Sequence, residues 1–181
     1  MSPLVIVIMG VSGCGKSTVG SLLAGRVGWE FEDGDWFHPA ANVDKMHQGI
    51  PLTDADRRPW LEAIAKFIDE ARAAGRPAVL ACSALKRRYR DIIVGDRADV
   101  RLVYLKGSEP LIARRIATRH GHFMPPGLLH SQFEALEEPG PDEHPLTISV
   151  EPRPREIVDQ IVKALKLKTT ADHTSRVQGG S

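Results

Sequence analysis

Gly10-Val11-Ser12-Gly13-Cys14-Gly15-Lys16-Ser17-Thr18 carries the pattern G-x-x-x-x-G-K-[ST]. Glycines at these positions let the backbone turn tightly and aim its N–H groups at phosphate oxygens. A helix beginning at the same place adds partial positive charge. Lys16 is then placed to reach the β- and γ-phosphates, the Ser17 hydroxyl to ligate Mg²⁺, and Thr18 to contact the α-phosphate. This chemistry is the handling of a nucleoside triphosphate. A second cluster, Asp33-Gly34-Asp35, sets two carboxylates in a turn. They can orient a hydroxyl, accept its proton or hold a metal through water.

The flanking elements give the motif its context. Leu4-Val5-Ile6-Val7-Ile8-Met9 is a continuous apolar run that reads as a buried strand. Val19, Leu22, Leu23, Ala24 and Val27 recur at helical spacing after the loop. A second strand is expected at Trp29-Glu30-Phe31-Glu32, and a short helix from Ala40 to His47. An amphipathic helix from Arg58 to Ala74 follows, ending at Gly75, with Thr53 or Asp54 as a cap. Pro77 to Cys82 and Val100 to Leu105 read as a third and a fourth strand, and Leu146 to Val150 as a fifth. Helices are expected from Ser83 through Ile93, from Glu109 to Thr118, from Leu128 to Leu136, and over Ile157 to Leu165. Alternating strands and helices predict an α/β protein: a doubly wound parallel sheet, whose ligands gather beyond the C-terminal strand ends. Those ends carry Gly10, Asp33 and Asp35, Cys82 and Ser83, and Lys106.

The bulk properties narrow the class. At 181 residues the chain suits one domain with a sizeable core, and its formal net charge of +1 disfavours a general nucleic-acid or membrane-surface role. The basic run Lys86-Arg87-Arg88-Tyr89-Arg90 therefore weighs little as an RNA site. No apolar run approaches the roughly 20 residues of a membrane span. Cys14 and Cys82 lack any framework spacing and suit free thiols in a reducing cytoplasm. The stretch from Thr169 to Ser181 reads as a flexible tail after a domain of residues 1–168. A GTPase switch would need N-K-x-D, and the only asparagine, Asn42, precedes Val43. A motor ATPase would put a carboxylate at the end of the third strand, where this chain has Ala81-Cys82-Ser83. Acidic residues after the second strand suit small-molecule kinases related to shikimate kinase and the nucleoside monophosphate kinases. Residues 33–60 would then form an acceptor-binding segment, and residues 114–127 a lid.

A longer composite resembles one family, the phosphate-loop gluconokinases. It joins residues 10–18 to Asp33-Gly34-Asp35, His38-Pro39, Asn42, Lys45-Met46 and Gly49-Ile50-Pro51-Leu52. It continues through Asp54-x-Asp56-Arg57 with Pro59-Trp60-Leu61, and through Cys82-Ser83-Ala84-Leu85-Lys86-Arg87-x-Tyr89-Arg90-Asp91. It ends with Arg115, Arg119, His122-Phe123-Met124, Ser131-Gln132 and Leu136-Glu137-x-Pro139, covering about residues 4 to 166. The tail beyond Lys168 has no counterpart.

The resemblance implies transfer of the ATP γ-phosphate to D-gluconate, Mg²⁺ dependence, a homodimer, and a three-layer fold with parallel strand order 2-3-1-4-5. It implies that Gly10, Val11, Ser12, Gly13, Cys14, Gly15, Lys16, Ser17 and Thr18 bind the nucleotide together with Arg115 and Arg119. Ser17 and Asp33 would serve the metal. Asp35 would orient the acceptor hydroxyl or act as its base, with Lys16 and Arg119 completing the catalytic set. Gluconate presents one carboxylate and a row of hydroxyls. Arg57 is the expected carboxylate clamp, because a guanidinium pairs bidentately. Lys86 and Arg90, four residues apart, are expected to face the acceptor or the moving phosphoryl group, and Arg87 and Arg88 to be solvated. His38 would hydrogen-bond gluconate or brace Asp35. Cys14 is exposed to electrophiles but has no catalytic part. A kinase of another sugar acid or polyol, such as shikimate, and a nucleotide-binding regulator are the alternative readings.

Overall fold

A computed structural model of the chain describes residues 2–119 and 126–172. Five parallel strands form one sheet in the order β2-β3-β1-β4-β5. They are β1 (Val5–Met9), β2 (Glu30–Asp33), β3 (Ala78–Ala81), β4 (Val100–Lys106) and β5 (Leu146–Ser149). Helices α1 (Lys16–Val27), α2 (Ala40–His47), α3 (Asp54–Ala74), α4 (Arg87–Ile93), α5 (Glu109–Thr118), α6 (Pro126–Ala135) and α7 (Pro154–Leu165) connect and cover them. The order and the parallel sense are those expected.

β1 lies at the centre, in register with β3 through Val5↔Ala78 and with β4 through Val5↔Val100. Every β1 residue is buried, because both faces of the sheet are covered. Alternate residues feed opposite layers. Ile6 and Ile8 join Leu23 of α1, Ile112 of α5 and Ile161 of α7. Val5, Val7 and Met9 join Leu61, Ile64 and Ile68 of α3 and Ile93 of α4. Each such aliphatic side chain contributes about 1.5–3 kcal/mol on burial. The result is a rigid platform whose C-terminal strand ends carry the polar loops. Among the described residues, no helix is long and apolar enough to cross a membrane.

Several boundaries differ from the sequence expectation. α3 begins at Asp54, a full turn before Arg58, because Thr53 and Asp56 form a capping box. Thr53 N–H donates to Asp56 Oδ2 at 2.9 Å and Asp56 N–H to Thr53 Oγ1 at 3.1 Å. Pro59 thus lies inside the helix, and Arg57 belongs to its first turn. α4 starts only at Arg87, with Lys86 as its extended N-cap. At the C-terminus, residues 170–172 are helical, and Thr169 N–H donates to Asp172 Oδ2 at 2.8 Å. Thr170 Oγ1 donates to the Arg26 carbonyl at 3.4 Å, so the chain is ordered beyond Lys168. The rest of the expected tail, 173–181, lies outside the described residues.

Candidate active site

The loop after β1 ends in Gly15, which caps α1 with φ of 101° and no side-chain hydrogen bond. A side chain at that φ would be strained, so the position favours glycine. α1 also has no acidic residue in its first turn. The first intrahelical bond is from Val19 N–H to Gly15 O, at 2.9 Å. The N–H groups of Ser17 and Thr18 therefore have no acceptor among the described residues, while Lys16 N–H is drawn toward the Cys14 thiol. Open donors at the positive end of a helix form an anion site. The Lys16 ammonium folds over the loop, donating to Val11 O at 3.1 Å.

β2 ends beside this loop. Asp33 accepts from Asp35 N–H at 3.0 Å with one oxygen, capping the 3-10 turn Gly34–Phe37. Its other oxygen accepts from Ser17 Oγ–H at 2.8 Å. The two residues assigned to the metal are thus brought together. Gly34 lies flat against β3: a Cβ there would stand 2.7 Å from Ala81 O. Phe37 turns inward against Phe67 of α3, with ring centroids 5.5 Å apart. Trp36 is exposed, and Asp35 is open to solvent at one side while Lys16 and Asp33 lie close to it. Partial burial and the charge of Asp33 raise the Asp35 pKa, while Lys16 and His38 act in the opposite sense. Asp35 and Lys16 thus feel each other across the strand ends.

Trp60 supports this turn from below. Its indole N–H donates to Gly34 O at 2.7 Å, and its ring stacks on His38 at 4.3 Å and 13°. The buried Asn42 donates its amide N–H to Asp56 O at 2.8 Å and meets His38 Nδ1 at 3.3 Å. A carbonyl can only accept, so the amide nitrogen is the donor and Nδ1 must accept. The His38 proton then lies on Nε2. Burial lowers the His38 pKa, Asp35 raises it and Arg57 lowers it further, so the neutral ring is favoured. Lys45 completes the brace on α2 with an ion pair to Asp56 at 2.9 Å.

Arg57 and Lys86 converge on Tyr89. Arg57 lies 5.8 Å, Lys86 6.0 Å and Arg88 5.5 Å from the Tyr89 ring centroid. Arg88 is exposed as expected, but it is not merely solvated: it pairs with Asp54, which also accepts from the Tyr89 hydroxyl. These bonds hold the Asp54 carboxyl down at about 2. Arg57 Nη1 donates to Leu52 O at 2.8 Å and to Tyr89 Oη at 3.4 Å. Neither Arg57 nor Lys86 has a carboxylate partner among the described residues. Two uncompensated cations beside an aromatic face suit an anionic group.

Arg90 requires a correction. It is 1% exposed, and its guanidinium grips Glu143 at 2.6 and 3.1 Å. Its remaining nitrogen donates to Ala84 O at 2.9 Å and Leu85 O at 3.2 Å. With its donors consumed internally, Arg90 fastens the segment after α6 to the start of α4 and leaves nothing for an acceptor. Lys86 does not share its direction, because Lys86 precedes the helix.

Arg115 donates to Val150 O and to Glu151 O, at 3.0 Å for the latter, and so holds the turn after β5. Arg119 ends α5 exposed, and its charge reaches the Cys14 thiol. Beyond it the expected lid residues His120, His122, Phe123 and Met124 lie outside the described residues. Cys14 and Cys82 are free but buried, and burial pushes both thiols up, Cys82 to about 12. Cys14 is therefore shielded, against the expectation of electrophile reactivity. Sequence reasoning gave no role to Tyr89, Asn42 or Gln132. Gln132 is bonded to Ser12 within the phosphate loop.

Comparison with known proteins accords with this geometry. The AAA domain family matches residues 5–138. A gluconokinase of Gluconobacter oxydans (strain 621H) is 47% identical over 163 residues, spanning 90% of this chain and 92% of that one. The crystal structure of a gluconokinase from Sinorhizobium meliloti 1021 superposes with a TM-score of 0.82 at 41% identity, covering 98% of both chains. A shikimate kinase from Bacteroides thetaiotaomicron shares the fold, with a TM-score of 0.65 at 18% identity over 91% of this chain and 99% of its own. With near-complete coverage at such identity, and a phosphate loop facing the Asp33–Asp35 turn, the chain belongs to the gluconokinase family.

Proposed function

We propose that this chain transfers the γ-phosphoryl group of ATP to the 6-hydroxyl of D-gluconate, releasing ADP and 6-phospho-D-gluconate. One observation carries the reading. The open N-terminus of α1 with Lys16 faces Asp35, and the unpaired cations Arg57 and Lys86 lie beyond the same strand ends. A polyanionic nucleotide and a carboxylate-bearing acceptor are complementary to the two halves.

In this reading the N–H groups of the loop and Lys16 cradle the phosphates, while Arg57 and Lys86 take the gluconate carboxylate. Asp35 accepts a hydrogen bond from the 6-hydroxyl, braced from behind by neutral His38 on Trp60. The hydroxyl oxygen forms a bond to the γ-phosphorus as the bond from that phosphorus to the β–γ bridging oxygen breaks. The hydroxyl proton leaves toward Asp35, whose raised pKa suits it to receive a proton. Arg119, with Arg115 holding the turn after β5, flanks the nucleotide side. Ser17 Oγ and Asp33 are hard oxygen donors joined at 2.8 Å. They fit Mg²⁺, which takes one or two protein oxygens and keeps its waters and phosphate oxygens. When bound, Mg²⁺ neutralises charge developing on the phosphates. The catalytic unit is residues 1–168, working as a homodimer in the cytoplasm.

The test is ADP release measured with gluconate, other aldonates, shikimate and no acceptor. Gluconate should give the highest kcat/KM. Release stimulated only by shikimate, or by no acceptor, overturns the proposal.

A further inference from the structure

Two hydrogen bonds join the phosphate loop to a residue 120 positions away. Ser12 N–H donates to Gln132 Oε1 at 2.7 Å, and Gln132 Nε2 donates to Ser12 Oγ at 2.8 Å. The pair is reciprocal. Only the amide oxygen can accept from N–H and only the amide nitrogen can donate to the hydroxyl oxygen, so the glutamine has one workable orientation. Turning the Gln132 side chain breaks both bonds, whereas turning Ser12 breaks only the one to its hydroxyl.

Gln132 is itself anchored. Leu129, three residues earlier on α6, is buried in the same apolar cluster as Val11 and Cys14 of the loop. Residues at that spacing share a helix face. His130 of α6 contacts Glu109 at the start of α5 at 3.0 Å, which ties the two helices together. The amide is therefore presented to Ser12 from a fixed support. Ser12 N–H is committed to Gln132 and stands apart from the open donors of Ser17 and Thr18.

We infer that Gln132 is a positioning residue for phosphoryl transfer: it fixes the orientation of Ser12 and so the line along which the loop presents the terminal phosphate. The inference rests on the kinase reading. Ground-state nucleotide binding depends mainly on the other loop donors and Lys16, so Gln132 acts on kcat more than on KM. Small misplacements of a reacting group cost up to about 100-fold in rate. An apolar residue of similar shape should fill the space without holding the serine, and a glutamate can still accept from Ser12 N–H and from the serine hydroxyl while adding a negative charge next to the phosphates.

The experiment compares wild type, Gln132→Met, Gln132→Glu, Ser12→Ala and the double variant Ser12→Ala/Gln132→Met. Gluconate-stimulated ADP release is expressed per folded molecule, with folding followed by circular dichroism. Gln132→Met should lower kcat roughly tenfold or more with KM for ATP nearly unchanged. Adding Ser12→Ala to it should cost almost nothing further, because the two residues act as a unit. Gln132→Glu should raise KM for ATP, an effect weakened by salt. Wild-type turnover in the same assay scores the kinase reading separately. An unchanged kcat in Gln132→Met, or losses from positions 12 and 132 that add in full, would overturn the inference. A fall in activity matched by a fall in folded fraction would overturn it equally.

Discussion

Replacing Arg57 by lysine separates the shape of the cation from its charge. Arg57 Nη1 is occupied by Leu52 O at 2.8 Å and Tyr89 Oη at 3.4 Å. Its Nε and Nη2 have no hydrogen-bond partner among the described residues. Their N–H groups lie side by side on one edge of the guanidinium, the edge that takes a carboxylate through two parallel bonds. Lysine retains the charge but supplies one such bond at a time. The loss is one charge-assisted hydrogen bond, about 1.5–3 kcal/mol. With about 1.4 kcal/mol per factor of ten, this is roughly 10- to 150-fold in affinity. Arg57 is half-buried, so solvent screening favours the lower part of that range. Initial rates of ADP release should show KM for gluconate rising about tenfold or more and KM for ATP unchanged. Selectivity for gluconate over the hexitol that lacks its carboxylate should fall by the same factor. An Arg57→Lys enzyme of normal Tm whose KM for gluconate stays within about twofold of wild type would refute the assignment of that edge.

Three further outcomes follow from the site. Asp35→Asn should lower kcat by about 100-fold or more while nucleotide binding, read by calorimetry, survives; near-normal turnover removes Asp35 from the mechanism. Asp35 must be ionised to accept the proton, and burial with Asp33 raises its pKa, so activity should fail on acidification at a pH above the usual carboxylate value of about 3.9. Asp33→Asn removes the like charge, so this acid limb should move to lower pH even as the maximal rate falls; a limb that stays in place contradicts the Asp33–Asp35 coupling. Arg90→Leu strands the nearly buried Glu143 carboxylate at a cost of about 3 kcal/mol. For a domain of this size that lowers Tm by roughly 6–12 °C, and KM for gluconate of the folded fraction should not change. A selective rise in KM at native Tm would return Arg90 to the acceptor site.

The sequence made legible those features whose causes are local. β1 and β3 read as continuous apolar runs because each is covered on both faces. The phosphate loop was readable because a tight turn into a helix restricts residue types within nine positions. Pairings made by tertiary packing were not readable in the same way. Thr53 was legible as a cap, but the expected start at Arg58 lay a turn late, because the apolar spacing begins at Trp60 while the capping box of Thr53 and Asp56 starts α3 at Asp54. The four-residue spacing of Lys86 and Arg90 implied a shared face only if both were helical. Lys86 is extended, with φ −103° and ψ 145°, so the two side chains diverge. No charge pattern announced that Arg90 would meet Glu143, 53 residues later, or that Gln132 would reach back to Ser12.

Trp36 is 76% exposed, one residue from Asp35, whereas Trp60 is buried and Trp29 partly so. The three indoles therefore emit from different surroundings, and only the first stands in water next to the acceptor. Arrival of the sugar acid should shift that emission to shorter wavelength without any attached dye. The 3-10 turn thus carries its own optical gauge of occupancy, readable in stopped flow before any phosphate has moved.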